Sequence, residues 1–322
     1  MAPHRARRRR TRHSGRRTLV HIVVASAVLV GGTAAGAVYV KAQAHDRRSL
    51  VSSPSASPGT SSSASAASSP SQETSVEPVT KPTVDRDALL TKAMKAVALE
   101  DGAEVSVAVF DIDSGEGAAY GEGAFDTASI VKVDILATLL LQAQDADRHL
   151  TATEKTYATA MITNSDNASA SALWDIIGQA DGLDAANKRF GLTDTSGGDG
   201  ALWGLTQTTA ADQLTLLQQV FGDDSELSEA SRTYLQGLMG EIAADQHWGV
   251  SAAADGTQWA LKNGWLARSS TGLWDINSIG RVTVDGAEYL VATLSNGNTT
   301  KAKGISVVEA AAKAAVAAFG SA

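Results

Sequence analysis

Two residues three positions apart, Ser129 and Lys132, have side chains that could carry out nucleophilic chemistry. Residues at this spacing share one face of a helix, and a lysine in an apolar setting releases its proton easily enough to activate a serine hydroxyl. Residues 133–141 are mostly apolar, which predicts a buried helix that begins near Ser129. The alternative is that Ser129 only caps this helix while Lys132 points to solvent.

Two further segments carry polar side chains that such a pair would need. Ser165, Asp166 and Asn167 form a tripeptide between two predicted helical stretches, where they could also serve only as a helix cap. Residues 262–265, Lys-Asn-Gly-Trp, lie on a predicted strand and taken alone would be an ordinary strand end. The three segments are therefore candidates for one site, provided that the fold brings them together.

The elements that must position these residues follow from the hydrophobic pattern. The predicted strands cover residues 105–111, 118–121, 258–265, 279–284 and 288–295. The predicted helices cover residues 85–99, a stretch from Ser129, a mainly helical region to residue 217 with glycine-rich loops at 178–182 and 195–204, and residues 227–239 and 305–319. Strands at both ends with helices between them predict an α+β domain whose antiparallel sheet is formed by both ends of the domain.

The first 84 residues differ in composition from the rest of the chain. Residues 1–17 hold eight arginines and predict a basic cytoplasmic tail, and residues 18–40 are apolar enough to predict a transmembrane anchor. Residues 41–84, rich in Ser, Ala and Pro, predict a disordered linker, and residues 85–322 a folded domain outside the cell membrane. The alternative is a secreted protein released by cleavage after Ala42-Gln43-Ala44.

Charge and cysteine content exclude several classes of function. Residues 1–84 hold 12 Lys and Arg against three Asp and Glu, whereas residues 85–322 hold 15 against 32, a net charge of −17. An acidic domain is a poor ligand for nucleic acid, so no nucleic-acid partner is expected. The absence of cysteine excludes disulfides, thiol catalysis and thiolate metal sites. The two histidines of the domain, His149 and His247, leave a Ser-His-Asp triad open, but no Gly-x-Ser-x-Gly segment accompanies either.

Taken together and in this order, the three segments resemble the motifs of the penicillin-recognising serine hydrolases, especially the class A β-lactamases. That family is marked by Ser-x-x-Lys, Ser-Asp-Asn and Lys-Thr-Gly. The resemblance extends over about residues 85–322 and implies a β-lactamase/transpeptidase-like fold with flanking helices. The segment between the first two motifs is shorter than in the class A enzymes, which implies a reduced all-helical lobe.

The resemblance also implies a role for each residue. Ser129 would attack an amide carbonyl to form an acyl-enzyme, with Lys132 taking its proton. Ser165 would pass a proton to the leaving nitrogen, and Asn167 would bind the substrate side chain.

On the strand, Lys262 would hold the Ser165 hydroxyl and the substrate carboxylate. The backbone N–H of Trp265, next to Gly264, would complete an oxyanion hole with that of Ser129. No metal or other cofactor is implied.

Two departures from the family pattern matter. Asn263 replaces the threonine whose hydroxyl would bind the substrate carboxylate, so that an amide is offered in its place. Residues 193–204, where class A enzymes carry the glutamate of deacylation, hold no glutamate, and Asp194 and Asp199 are the only carboxylates that could substitute.

The sequence therefore predicts an exported serine hydrolase that forms an acyl-enzyme on β-lactams or related amides and deacylates slowly. A D-Ala-D-Ala-type peptidase acting on peptidoglycan stem peptides and a non-catalytic cell-wall or β-lactam-binding module remain alternatives.

Overall fold

The structure, a computed structural model, describes residues 84–320. The predicted cytoplasmic tail and membrane anchor, and the linker as far as residue 83, lie outside this range. Within it no helix combines the length and apolar character needed to cross a membrane.

Eight α-helices and seven strands are the main elements of residues 84–320. The helices are α1 (Arg86–Met94), α2 (Val131–Asp145), α3 (Ala152–Thr163), α4 (Asn167–Ile177), α5 (Gln179–Phe190), α6 (Ala210–Phe221), α7 (Glu229–Gly240) and α8 (Lys301–Gly320). The strands are β1 (Glu104–Asp111), β2 (Gly117–Tyr120), β3 (Phe125–Asp126), β4 (Gln207–Thr208), β5 (Trp259–Ala267), β6 (Trp274–Val284) and β7 (Ala287–Asn298).

Five strands form one antiparallel sheet in the order β2-β1-β7-β6-β5, which confirms the predicted α+β fold with a sheet built from both ends of the domain. Side chains of successive strand residues point to opposite faces. On β1, Val107 and Val109 pack with α1 and α8, whereas Ala108 belongs to the core formed with α2 to α7. The sheet thus separates a small two-helix layer from the larger helical layer.

Most predicted elements are present, with three differences. Helix α1 ends at Met94 and not at residue 99, and β6 begins at Trp274, five residues before the predicted strand. The added part of β6 includes the polar but buried Asp275 and Asn277, which hid the strand from a hydrophobic pattern. A loop was predicted at residues 178–182, but the two helices are separated only by Gly178. This glycine has a φ of 94° and caps the end of α4, and α5 begins at the next residue.

Candidate active site

The candidate nucleophile lies on a short 3₁₀ helix, Ala128–Ile130, that leads directly into α2. Ala128 has a φ of 47°, a left-handed conformation that costs free energy for a residue with a side chain and is often found next to functional groups. This turn leaves Ser129 partly exposed, whereas the residues that follow it are buried. Helix α2 is buried on all sides, as predicted, because its own apolar residues are distributed around the whole helix.

Lys132 is fully buried and makes three hydrogen bonds. Its Nζ donates to Ser165 O at 2.7 Å, to Ser165 Oγ at 3.1 Å and to Asn167 Oδ1 at 2.7 Å. Burial lowers the pKa of Lys132 to about 7, although the nearby Asp166 carboxylate acts to raise it. Lys132 therefore holds a substantial neutral fraction near neutral pH, as a proton acceptor must.

The turn between α3 and α4 supplies the partners of Lys132. Ser165 has a φ of 55°, a second strained residue at this site, and this conformation directs both its carbonyl and its hydroxyl toward the lysine. Asp166 accepts a hydrogen bond from Ser169 N at 2.7 Å and caps α4, an interaction that stabilises a helix by about 1 kcal/mol. The tripeptide is therefore both a helix cap and a source of polar groups.

Strand β5 brings Lys262 to the same hydroxyl. The fully buried Nζ of Lys262 donates to Ser165 Oγ at 3.0 Å and to Asn263 O at 2.9 Å. Burial lowers the pKa of Lys262 well below its usual value, and the neighbouring Lys132 lowers it further. We call Lys132, Ser165, Asn167 and Lys262 the active-site network, because hydrogen bonds connect all four side chains.

Gly264 brings β5 into direct contact with the nucleophile's backbone. A Cβ atom at this position would lie 2.7 Å from Thr127 O, 2.9 Å from Ser129 N and 3.0 Å from Ile130 N. Such distances are too short for any side chain against backbone atoms. The strand can therefore approach the turn that carries Ser129 only because residue 264 is glycine.

Asn263 does not offer its amide to the site, contrary to the expectation from the sequence. Residues 261 and 263 of β5 point to the face of the sheet opposite Lys262, as strand alternation requires. The Asn263 side chain is fully buried, and its Nδ2 donates to Gln246 O at 2.7 Å and to Trp248 O at 3.1 Å. It anchors the 246–248 segment.

The ring of Trp265 also lies on that opposite face. It packs 5.9 Å from the ring of Trp248, and Lys301 Nζ lies 3.9 Å from its centroid. Only the backbone of Trp265 is therefore left to act in the site.

The segment between α5 and α6 places an aromatic ring at the active-site network in place of a carboxylate. The ring centroid of Trp203 lies 4.9 Å from Lys132 Nζ, and its Nε1 donates to Ser171 Oγ at 3.1 Å. Asp194 and Asp199 are exposed. Within residues 84–320, no hydrogen bond or ion pair links either residue to Lys132 or Ser129.

The sequence did not identify Asn277, which holds the backbone that leads into Ser129. Its fully buried Nδ2 donates to Asp126 O at 2.8 Å and to Thr127 O at 3.0 Å, the two carbonyl groups that precede the strained Ala128. The sequence around it, Ile276-Asn277-Ser278, gives little signal, because Asn277 precedes the predicted strand.

His247, one of the two histidines that the sequence left open for a Ser-His-Asp triad, has packing partners of its own. His247 Nε2 is 3.0 Å from Ile242 O and its ring packs edge-on against Trp259, as expected of a structural histidine. No cluster of three His, Cys, Asp or Glu side chains suited to a metal ion occurs between residues 84 and 320.

Comparison with known sequences gives one family. A sequence profile described as the beta-lactamase enzyme family matches residues 148–319, more than half of the chain. The matched region contains the segments around Ser165 and Lys262 and begins after Lys132. Comparison with curated protein sequences gives no match.

Solved structures share the fold. PBP-A is 20% identical, with a TM-score of 0.63 over 73% of this chain and 97% of that chain. A variant of PBP-A in an acyl-enzyme complex with penicillin G is 19% identical, with a TM-score of 0.62 over the same shares. A representative class A β-lactamase from Bacteroides cellulosilyticus is 16% identical, with a TM-score of 0.64 over 74% of this chain and 100% of that chain.

Proposed function

The chain belongs to the beta-lactamase enzyme family, and from this premise we propose that it is a serine hydrolase whose Ser129 forms an acyl-enzyme with β-lactams or related amides. The observation that carries the proposal is the active-site network, in which two buried lysines hold the Ser165 hydroxyl from two sides. The penicillin acyl-enzyme of the PBP-A variant adds support, because it shares this fold.

Acylation begins with attack of Ser129 Oγ on the carbonyl carbon. Neutral Lys132 accepts the hydroxyl proton. A pKa of about 7 makes this neutral form available near neutral pH. The backbone N–H groups of Ser129 and Trp265 stabilise the oxyanion. The C–N bond then breaks.

The network also provides a route for the proton. A neutral amine has two N–H groups and one lone pair, so neutral Lys132 cannot donate all three of its present hydrogen bonds. Its lone pair can then accept the Ser129 proton, while Ser165 Oγ remains bonded to Lys262. After attack, the proton passes from Lys132 through Ser165 to the leaving nitrogen.

We propose further that the acyl-enzyme is hydrolysed slowly. Deacylation needs a base that activates water, and the group next to Lys132 on the segment between α5 and α6 is the apolar ring of Trp203. The Asp194 carboxylate accepts a hydrogen bond from the adjacent Thr193 Oγ1 at 3.3 Å. The ring limits access of water to the ester, which slows the second half of the reaction.

A second candidate is a non-catalytic binding module. The observation that favours it is the inward turn of Asn263, which leaves the substrate side of β5 without that residue's polar group. The lack of a glutamate in residues 193–204 is also compatible with a D-Ala-D-Ala-type peptidase.

The test is intact-protein mass after incubation of residues 84–322 with a fluorescent penicillin. We expect one stable adduct that peptide mapping assigns to Ser129, and that Ser129→Ala abolishes. Ser270→Ala, in the exposed β5–β6 turn, is the matched control and should label like the natural sequence. A lack of adduct would contradict acylation, and an adduct lost within seconds would contradict slow deacylation.

The location of the protein is a separate proposal. The basic residues 1–17 and apolar residues 18–40 support export with retention of an N-terminal anchor. Protease treatment of intact cells should degrade residues 85–322, and release of a shortened protein into the medium would instead indicate cleavage.

A further inference from the structure

We infer that Arg268 is a positioning residue for Ser129, because it neutralises two buried carboxylates beside the turn that carries the nucleophile. These carboxylates belong to Asp126, the last residue of β3, and to Asp275 of β6. Arg268 itself follows the last residue of β5, so its side chain joins the ends of three strands. The inference rests on the proposed acylation of Ser129, which serves as its readout.

Asp126 is the residue through which several elements hold the turn before Ser129. Its carboxylate accepts a hydrogen bond from Gln207 Nε2 on β4 and forms an ion pair with Arg268. Its backbone carbonyl accepts a hydrogen bond from Asn277 Nδ2 on β6, at 2.8 Å. Two residues separate Asp126 from Ser129. A displacement of Asp126 would therefore be transmitted to the nucleophile within a very short stretch of backbone.

The two carboxylates are buried, so the protein must balance their charge. Exposed fractions are 5% for the Asp126 side chain and 7% for the Asp275 side chain. A buried carboxylate without a cation is costly, and two carboxylates at one site disfavour each other's charge. Among the ion pairs of residues 84–320, Arg268 supplies the only basic group that contacts either of them. Its charge therefore keeps both carboxylates in place.

The titration of Asp275 agrees with this arrangement. Burial raises the pKa of Asp275 to about 6, with Arg268 acting to lower it and Asp126 acting to raise it. These two are the charged groups that act on Asp275. Loss of Arg268 would raise this pKa further, so a variant without it would relieve the repulsion by taking up a proton. That relief is available at low pH and is lost as pH rises.

Arg268→Gln tests the inference through the pH dependence of acylation. The rate with a fluorescent penicillin is measured by stopped flow at pH 6.5, 7.5 and 8.5 and divided by that of the natural sequence, which removes the titration that both proteins share. We expect a rate within about threefold of the natural one at pH 6.5 and a loss of about tenfold at pH 8.5, because a displaced nucleophile reacts more slowly. No loss, or an equal loss at all three pH values, would overturn the inference.

Asp275→Asn, added to Arg268→Gln, should rescue acylation. It removes one of the two neighbouring charges and replaces a carboxylate by an amide of similar size. At pH 8.5 the rate should return to within about threefold of the natural one, because the coupling between the two charges disappears with either of them. If Arg268→Gln does not fold, a double variant that folds and acylates still supports the inference. A double variant that does not fold, or that acylates no faster than the single one, contradicts it.

Arg189→Gln is the matched control. Arg189 also bridges two carboxylates, those of Asp145 and Glu226, and its side chain is 42% exposed, close to the 39% of Arg268. Its partners are largely exposed, and Asp145 lies at the opposite end of α2 from Ser129. This variant should acylate like the natural sequence at every pH, and a matching pH-dependent loss would overturn the inference. No adduct with the natural sequence would overturn the proposed acylation, and the inference with it.

Discussion

Helix α2 carries two buried ionisable side chains, Lys132 and Asp134, whose surroundings differ sharply. Two positions along a helix correspond to about 200° of rotation, so the two side chains lie on opposite sides. Lys132 makes three hydrogen bonds to the turn between α3 and α4. Asn187 and Thr138 lie beside the Asp134 carboxyl, yet neither carboxyl oxygen makes a well-formed hydrogen bond.

Burial drives both groups toward the neutral form, but we propose a chemical role for only one of them. Desolvation lowers the pKa of Lys132 to about 7 and raises that of Asp134 to about 8, with the nearby Asp184 and Asp212 adding to the second effect. The lysine faces the turn between α3 and α4, whereas the aspartate faces Asn187 of α5. A perturbed pKa therefore identifies a functional group here only in combination with its neighbours.

The strongest test of this contrast replaces each side chain by a neutral one of similar shape. Lys132→Met should slow acylation of Ser129 by about 10²- to 10⁴-fold, the usual contribution of a positioned base. Asp134→Asn should leave acylation within about threefold, since a protonated carboxyl and an amide are alike in charge and size. Stopped-flow measurement with a fluorescent penicillin gives both rates, and circular dichroism checks folding. Equal losses in the two variants would remove the functional distinction.

The nucleophile end of α2 should also be more sensitive to packing than other parts of the helical layer. Gly264→Ala would place a Cβ 2.7 Å from Thr127 O and 2.9 Å from Ser129 N, so the backbone must move. We expect a loss of about 1–3 kcal/mol in the free energy of unfolding and about a hundredfold in acylation rate.

Gly237→Ala, in α7, is the matched control for this substitution. A Cβ there meets nothing within 4 Å, so the variant should gain about 0.5–1 kcal/mol from helix propensity and acylate normally. Urea unfolding and labelling rates measure both effects. A Gly264→Ala protein that acylates at the natural rate would show that the close approach of β5 is not required.

The contact of Trp203 with Lys132 should set the lifetime of the acyl-enzyme. Trp203→Ala opens the site to water, so loss of the label should become up to about tenfold faster. The better-solvated Lys132 should also show a higher pKa in the pH profile of acylation. Trp203→Phe keeps a ring and should retain a slow loss. Identical label lifetimes in all three proteins would exclude a role of the ring.

Asp134 should act on the pH dependence of stability and not on acylation. Its pKa is raised in the folded state, so the folded protein binds more protons than the unfolded chain between about pH 4 and pH 8. Stability should therefore fall as pH rises through this range, by up to about 1.4 kcal/mol per pH unit from this group. Asp134→Asn should lose this part of the slope in urea unfolding at pH 5, 6 and 7. A slope identical to that of the natural sequence would contradict the raised pKa.

The sequence contained enough to predict the fold class and most residues of the candidate site. Ser129, Lys132, Ser165 and Lys262 could be identified because their types and order form recognisable motifs. The order of helices and strands followed from hydrophobic patterns, since each element buries one face or all of its surface. Strand β6 was only partly predicted, because Asp275 and Asn277 are polar residues buried by partners distant in the chain.

The tertiary structure alone decided which groups the predicted residues meet. The pattern of a strand does not reveal that the backbone carbonyls of Gln246 and Trp248 accept hydrogen bonds from the Asn263 amide. Nor does it reveal that Trp203, 71 positions after Lys132, lies over that lysine. Local sequence specifies an element and its chemistry, whereas partners far apart in the chain meet only after the helices and the sheet have packed.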